Sequence, residues 1–135
     1  MIQIIVTGEA APQGSKKHVG RGIMVESSKK VKPWREAVER ATVKETNGRR
    51  MFAGAVSVEA CFTMRRPKRA KGREFPSVAP DLDKLLRSTF DGLTSSGVWE
   101  DDSRVVSVSA SKVYPKQGKD ALAVPGAVIR IWEAA

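Results

Sequence analysis

Between Ala79 and Asp102 the chain reads APDLDKLLRSTFDGLTSSGVWEDD, and this window holds five of its six aspartates in a protein of net charge +9. Aspartate places a carboxylate oxygen on a short, stiff arm, which suits ligation of a hard cation better than a long flexible acid does. Asp81 follows Pro80 and precedes an apolar stripe, the position of a helix N-cap, and Asp83 then falls in the first helical turn. Asp83, Arg87 and Asp91 follow at i, i+4 and i+8, so surface ion pairs alone would explain that face. Glu100-Asp101-Asp102 would pass for a solvated turn. Each of these bland readings is adequate alone, and none explains the clustering. If the chain beyond Gly97 returns beside the helix start, the acidic turn meets Asp81 and Asp83 in a nest of oxygen ligands suited to magnesium or manganese. Carboxylate-held magnesium flanked by cations is the chemistry of phosphodiester hydrolysis, with Arg87 as a source of positive charge for the transition state. A non-catalytic basic DNA-binding module is the alternative.

The elements that must position these residues are read from periodicity. Ile2 to Thr7 is β-branched and apolar, a buried strand, and it runs into the Gly/Pro-rich loop GEAAPQGSKKHVGRG. That loop lacks the spacing of a phosphate-binding loop. A short strand is expected at Ile23–Glu26. A helix over Pro33–Thr46 places Trp34, Val38, Ala41 and Glu45 on one face and ends near Asn47-Gly48. From Val56 to Met64 the residues alternate, so Val56, Val58, Ala60, Phe62 and Met64 face a core while Cys61 lies on the other side. A helix over Leu82–Thr94 carries the stripe Leu82, Leu85, Leu86, Phe90 and Leu93. Val106, Val108 and Ala110 alternate in a further strand, and Ala127–Trp132 forms the last. The fold class is therefore α+β, one domain over 1–135, with a mixed sheet of about four to five strands covered by two main helices.

Composition narrows the partners. Lys and Arg number 24 against 15 Asp and Glu, and the excess favours a polyanion, nucleic acid first. A single cysteine, Cys61, and a single histidine, His18, exclude an intrachain disulfide, a zinc ribbon and a His/Cys metal cage within one chain. No apolar run reaches the roughly 20 residues of a membrane span, so a cytoplasmic protein without a membrane partner or an organic cofactor is expected. Lys16, Lys17 and Arg21 in the first loop, and Arg65, Arg66, Lys68, Arg69, Lys71 and Arg73 just before the acidic helix, are the candidate contacts to DNA backbone. Trp34, Trp99 and Trp132 lie on apolar stripes and are expected to pack in the core or at a dimer contact rather than to stack on bases.

The stretch PDLDKLLRSTFDGLTSSGVWEDDSRVV, Pro80 to Val106, resembles the signature of the RusA family of Holliday-junction resolvases: Asp-Leu-Asp at a helix start, a basic residue one turn on, then Gly-x-x-x-Asp-Asp-Ser-x-Val. GRGIMVESSKKVKPWREAV upstream is similar to that family more loosely. The resemblance implies a small homodimeric, magnesium-dependent endonuclease, with manganese able to substitute, that cuts four-way branched DNA by paired symmetric nicks in recombination and repair. Many members come from phages and prophages. It implies Asp81, Asp83 and Asp102 as metal ligands, with Asp101 secondary; Lys84, where the family frequently has an Asn, is a further candidate contact to DNA. Arg87 stands where the family commonly has a catalytic lysine; arginine keeps the charge and can clamp a phosphate but does not readily give up a proton.

Overall fold

The computed structural model describes the chain except residues 14–15, 20–22, 27–28 and 70–71, and over 16–19 and 23–26 it describes the backbone alone. In chain order the elements are β1 (Ile2–Thr7), β2 (Lys16–Val19), β3 (Ile23–Glu26), α1 (Val31–Thr46), β4 (Val56–Thr63), α2 (Leu82–Ser96), β5 (Val105–Val113) and β6 (Gly126–Glu133), with a 3-10 turn at Asp102–Arg104. The main sheet runs β1-β6-β4-β5, and β2 and β3 form a separate antiparallel hairpin. β6 pairs antiparallel with both β1 and β4, whereas β4 and β5 are parallel. Parallel neighbours need a long crossover, and α2 supplies it. A mixed four-stranded sheet with two α-helices among the described residues is the α+β arrangement expected from periodicity. The strand β2 falls where sequence gave only a loop: Lys-Lys-His-Val has no alternating apolar signal, and it pairs because β3 stands opposite it.

The core lies between one face of the sheet and the two helices. Ile4 and Val6, Ile129 and Ile131, and Val56, Val58, Ala60 and Phe62 meet Trp34 and Val38 of α1 and Leu85 and Leu93 of α2, all buried. The helices approach closely at Gly92, where an added Cβ would lie 2.8 Å from the Arg35 carbonyl oxygen and 2.8 Å from the Val38 Cβ. At the same seam the Trp34 indole Nε1 donates to Thr89 Oγ1 at 3.1 Å, which satisfies two buried polar groups together. Trp99 is buried too, donates to Thr94 Oγ1 at 2.7 Å and stands edge-on to Phe90.

Packing corrects one expectation and completes two others. The inner face of α1 is completed by Thr42 and Thr46, and Glu45 is exposed. Both threonine hydroxyls donate to the carbonyl four residues back, Val38 O at 2.7 Å and Thr42 O at 2.9 Å, and so are buried without an unmade hydrogen bond. Val106 and Val108 alternate as expected; β5 is an edge strand, and they are 64% and 46% exposed. Cys61, on the other face of β4 as alternation places it, is buried. The segment between β5 and β6 lies over that face: Leu122 N donates to Thr63 Oγ1, and Asp120 receives two hydrogen bonds from Arg130, which also binds Glu59. Burial pushes the Cys61 thiol pKa up, as expected of an inert core cysteine.

Candidate active site

The peptide that leads into α2 is fixed from outside the helix. Lys112, near the end of β5, donates from Nζ to Val78 O at 2.8 Å and to Pro80 O at 2.9 Å. The segment after β1 is stapled to the first turns of the same helix, since Gln13 N donates to Lys84 O at 3.0 Å and Ser88 Oγ to Ala11 O at 2.6 Å. Asp81 thus sits at a held helix start in extended conformation, with its carbonyl accepting from Leu85 N. It occupies the N-cap position, but its side chain makes no capping hydrogen bond. That carboxylate is exposed, with Lys84 Nζ 3.9 Å away. Asp83, also exposed, is in the first turn, where the unpaired N–H groups of the helix favour negative charge. Arg87 projects into solvent one turn later.

Asp102 is elsewhere. It opens the 3-10 turn beyond the C-terminal end of α2, and with Asp91, Asp101 and Arg35 it lines a polar cleft between the two helices. Ten residues of helix separate Asp81 from Asp91, about 15 Å of rise. Because β5 is parallel to β4 and α2 runs back between them, Lys112 and Asp102 mark opposite ends of β5. The acidic turn therefore does not return to the start of α2 as expected. Among the described residues no group of three His, Cys, Asp or Glu is placed to hold a metal ion.

The two carboxylate groups differ in environment. Asp101 accepts from Ser103 N at 3.0 Å, and this bonding to Ser103 holds its pKa below the usual carboxylate value. Burial raises the pKa of Asp91; Arg35, 3.7 Å away, works against the shift and the charge of Asp102 adds to it. The partner of Asp91 is thus Arg35 on the other helix, not Arg87 on its own. Arg35 also donates to Gln13 Oε1 at 3.0 Å and so links α1 to the segment after β1.

The cations before α2 are partly engaged. Arg65 Nε meets Glu9 Oε1 at 2.5 Å and Lys30 Nζ meets Glu9 Oε2 at 2.9 Å; hydrogen bonds from Lys30 and then Arg65 lower the Glu9 pKa. Arg66 lies 4.1 Å from the centre of the Tyr114 ring and donates to Arg73 O, and Arg73 reaches the Tyr114 hydroxyl at 3.5 Å. Lys68 and Arg69 occupy an exposed turn. Lys71 and Arg21 lie outside the described residues, as do the side chains of Lys16 and Lys17. The residues that sequence missed are Lys112, Glu9 and Lys30. For Lys112 a signal existed: it shares its strand face with Val108 and Ala110, where a lysine needs a reason.

A family model described as "Endodeoxyribonuclease RusA" matches residues 7–124 of the chain. No curated protein matches it significantly.

Proposed function

Because this chain belongs to the RusA family of endodeoxyribonucleases, we propose that it is a magnesium-dependent nuclease, manganese substituting, that resolves four-way DNA junctions by paired nicks as a homodimer. The observation that carries this reading is the exposed pair Asp81 and Asp83 at the positive end of α2, on an arm tied down by Lys112 and entered directly from the basic segment Arg65–Arg73. Exposed cations there bind phosphates through charge, and Arg87 brings a further positive group within one turn of Asp83. A phosphodiester led along the basic segment arrives at the carboxylates, where negative charge on its oxygens is opposed by Arg87 and Lys84.

Among the described residues one chain offers two of the three expected ligands together, and that donor set does not complete a metal site. A two-fold dimer supplies the remainder. Among the described residues the outer edge of β5 is unpaired, with Val106 and Val108 exposed on that strand. If two β5 edges pair antiparallel about a dyad, the Asp102 end of one strand meets the Lys112 end of the other, so that the partner's Asp102 approaches Asp81 and Asp83. When bound there, magnesium would supply an activated water and offset charge on the phosphate. Two such sites, one per subunit, suit paired cuts in opposed strands.

A labelled synthetic junction incubated with and without magnesium, beside Asp102→Asn, tests the reading. Metal-dependent paired nicks that vanish in the variant while junction binding persists are expected. Binding with no cutting in either magnesium or manganese would overturn it.

A further inference from the structure

A cavity of about 430 Å³ opens beside the start of α2, walled by aliphatic groups of Ala11, Pro12, Met64, Pro76, Val78 and Pro125. Its volume is that of a small-ligand pocket, roughly 300 to 1,000 Å³. Charge is confined to its rim: Lys30 and Arg65, joined through Glu9, stand on one side and Lys112 on another. The wall Val78-Ala79-Pro80 is also the peptide that delivers Asp81, so the pocket and the proposed catalytic arm share a backbone. An apolar slot with a cationic mouth suits a flat heteroaromatic ring carried on a phosphate chain. Lys30, Arg65 and Lys112 stand against the single carboxylate of Glu9, and a lipid tail or an apolar peptide would leave that net positive charge unanswered.

We propose that this cavity receives one unstacked nucleobase from the branch point of the DNA and thereby selects which phosphodiester lies against Asp81 and Asp83. This rests on the junction-nuclease reading and goes further by giving that reaction a sequence filter. Bases at a branch are the least costly to unstack, because they have lost a stacking neighbour already. Lys112 spends two of its three donors on Val78 O and Pro80 O, which leaves one N–H for an acceptor on the base edge. A base bonded there is registered against the same peptide that fixes Asp81. Recognition of the base and alignment of its phosphate are thus mechanically one event.

The test uses junctions carrying a single 2-aminopurine at successive positions around the crossover, titrated with the intact protein in EDTA, and compares wild type with Val78→Trp and Val78→Ser. Val78 is 46% exposed, so neither change disturbs the core, and equal melting temperatures check this. Emission should rise about threefold or more at one position, since an extruded base leaves its stacked neighbours for a lining whose one aromatic side chain among the described residues is Tyr114. V78W should abolish the rise and V78S should keep it. In magnesium, V78W should also flatten the distribution of cuts along a mobile junction. An unchanged emission at every position, or equal emission from V78W and wild type, overturns the proposal. Paired cutting without any emission change sinks the pocket and spares the nuclease reading. A V78W-sensitive rise without cutting does the reverse.

Discussion

The two ends of α2 carry aspartates held in opposite ways. At the N-terminal end, Asp81 and Asp83 are exposed, and their positions are set through the backbone, by Lys112 on the preceding carbonyls and by the Gln13 and Ser88 staples. At the other end, Asp91 is half-buried at the helix seam, held by Arg35 and by the approach of α1 at Gly92. The first arrangement leaves both carboxylates open to a cation at little desolvation cost; the second turns an acid into part of the packing. Aspartates that look equivalent along the chain therefore divide into two that present oxygen and one that supports the fold. Asp102, between these roles, is exposed but at the wrong end.

The sharpest way to break this comparison is subunit mixing. Asp81→Asn and Asp102→Asn homodimers should each lose cleavage by about 10³-fold or more. Mixed subunits should regain it as single-strand nicks, because one of their two shared sites is then intact. No recovery on mixing, with exchange verified by tagged subunits, would return Asp102 to its own chain's site. Next in size, Gly92→Ala forces a Cβ against the Arg35 carbonyl and Val38 and should cost about 1–3 kcal/mol, read as a lower urea midpoint at constant slope. If the midpoint holds, the helix seam is looser than the contacts imply.

Lys112→Met frees the arm at the other end. It should raise the magnesium concentration for half-maximal cleavage about tenfold, with global stability nearly unchanged and rescue by Lys112→Arg, which still donates to two carbonyls. Equal metal dependence in K112M would show that the arm needs no tether. The smallest effect belongs to Asp91. Its raised folded pKa means that the native state binds the proton more readily than the unfolded chain, so this contribution to stability falls as pH rises from the unfolded value of about 4 through the folded pKa. Asp91→Asn should therefore gain on wild type as pH is raised from 4 to 7, by about 0.5 kcal/mol or less, in melting curves across that range. A variant that loses ground over the same interval would mean that Arg35 outweighs burial.

Much of this was legible in local order. The Leu85 and Leu93 stripe, the N-cap position of Asp81 and the basic run before it follow from spacing within one or two turns. The placement of Asp102 did not follow, because it depends on β4 and β5 being parallel, a pairing between distant segments that no local period encodes. Val106 and Val108 show the same limit: alternation reveals which face they share, but not that this face is exposed at the sheet edge. Thr42 and Thr46 were missed as core residues because their hydroxyls read as polar until the backbone carbonyls that accept them are in place.

The parallel pairing also orders events during folding. Val56 and Val105 are partners roughly fifty residues apart, and β5 can dock only after the basic segment and α2 have closed that loop. Lys112 arrives with β5, so the arm bearing Asp81 is tethered only once that loop has closed. On the proposed reading, a half-made chain would attract DNA through Arg65–Arg73 while its carboxylates are still untethered. Those carboxylates would reach their working geometry only after β5 has docked.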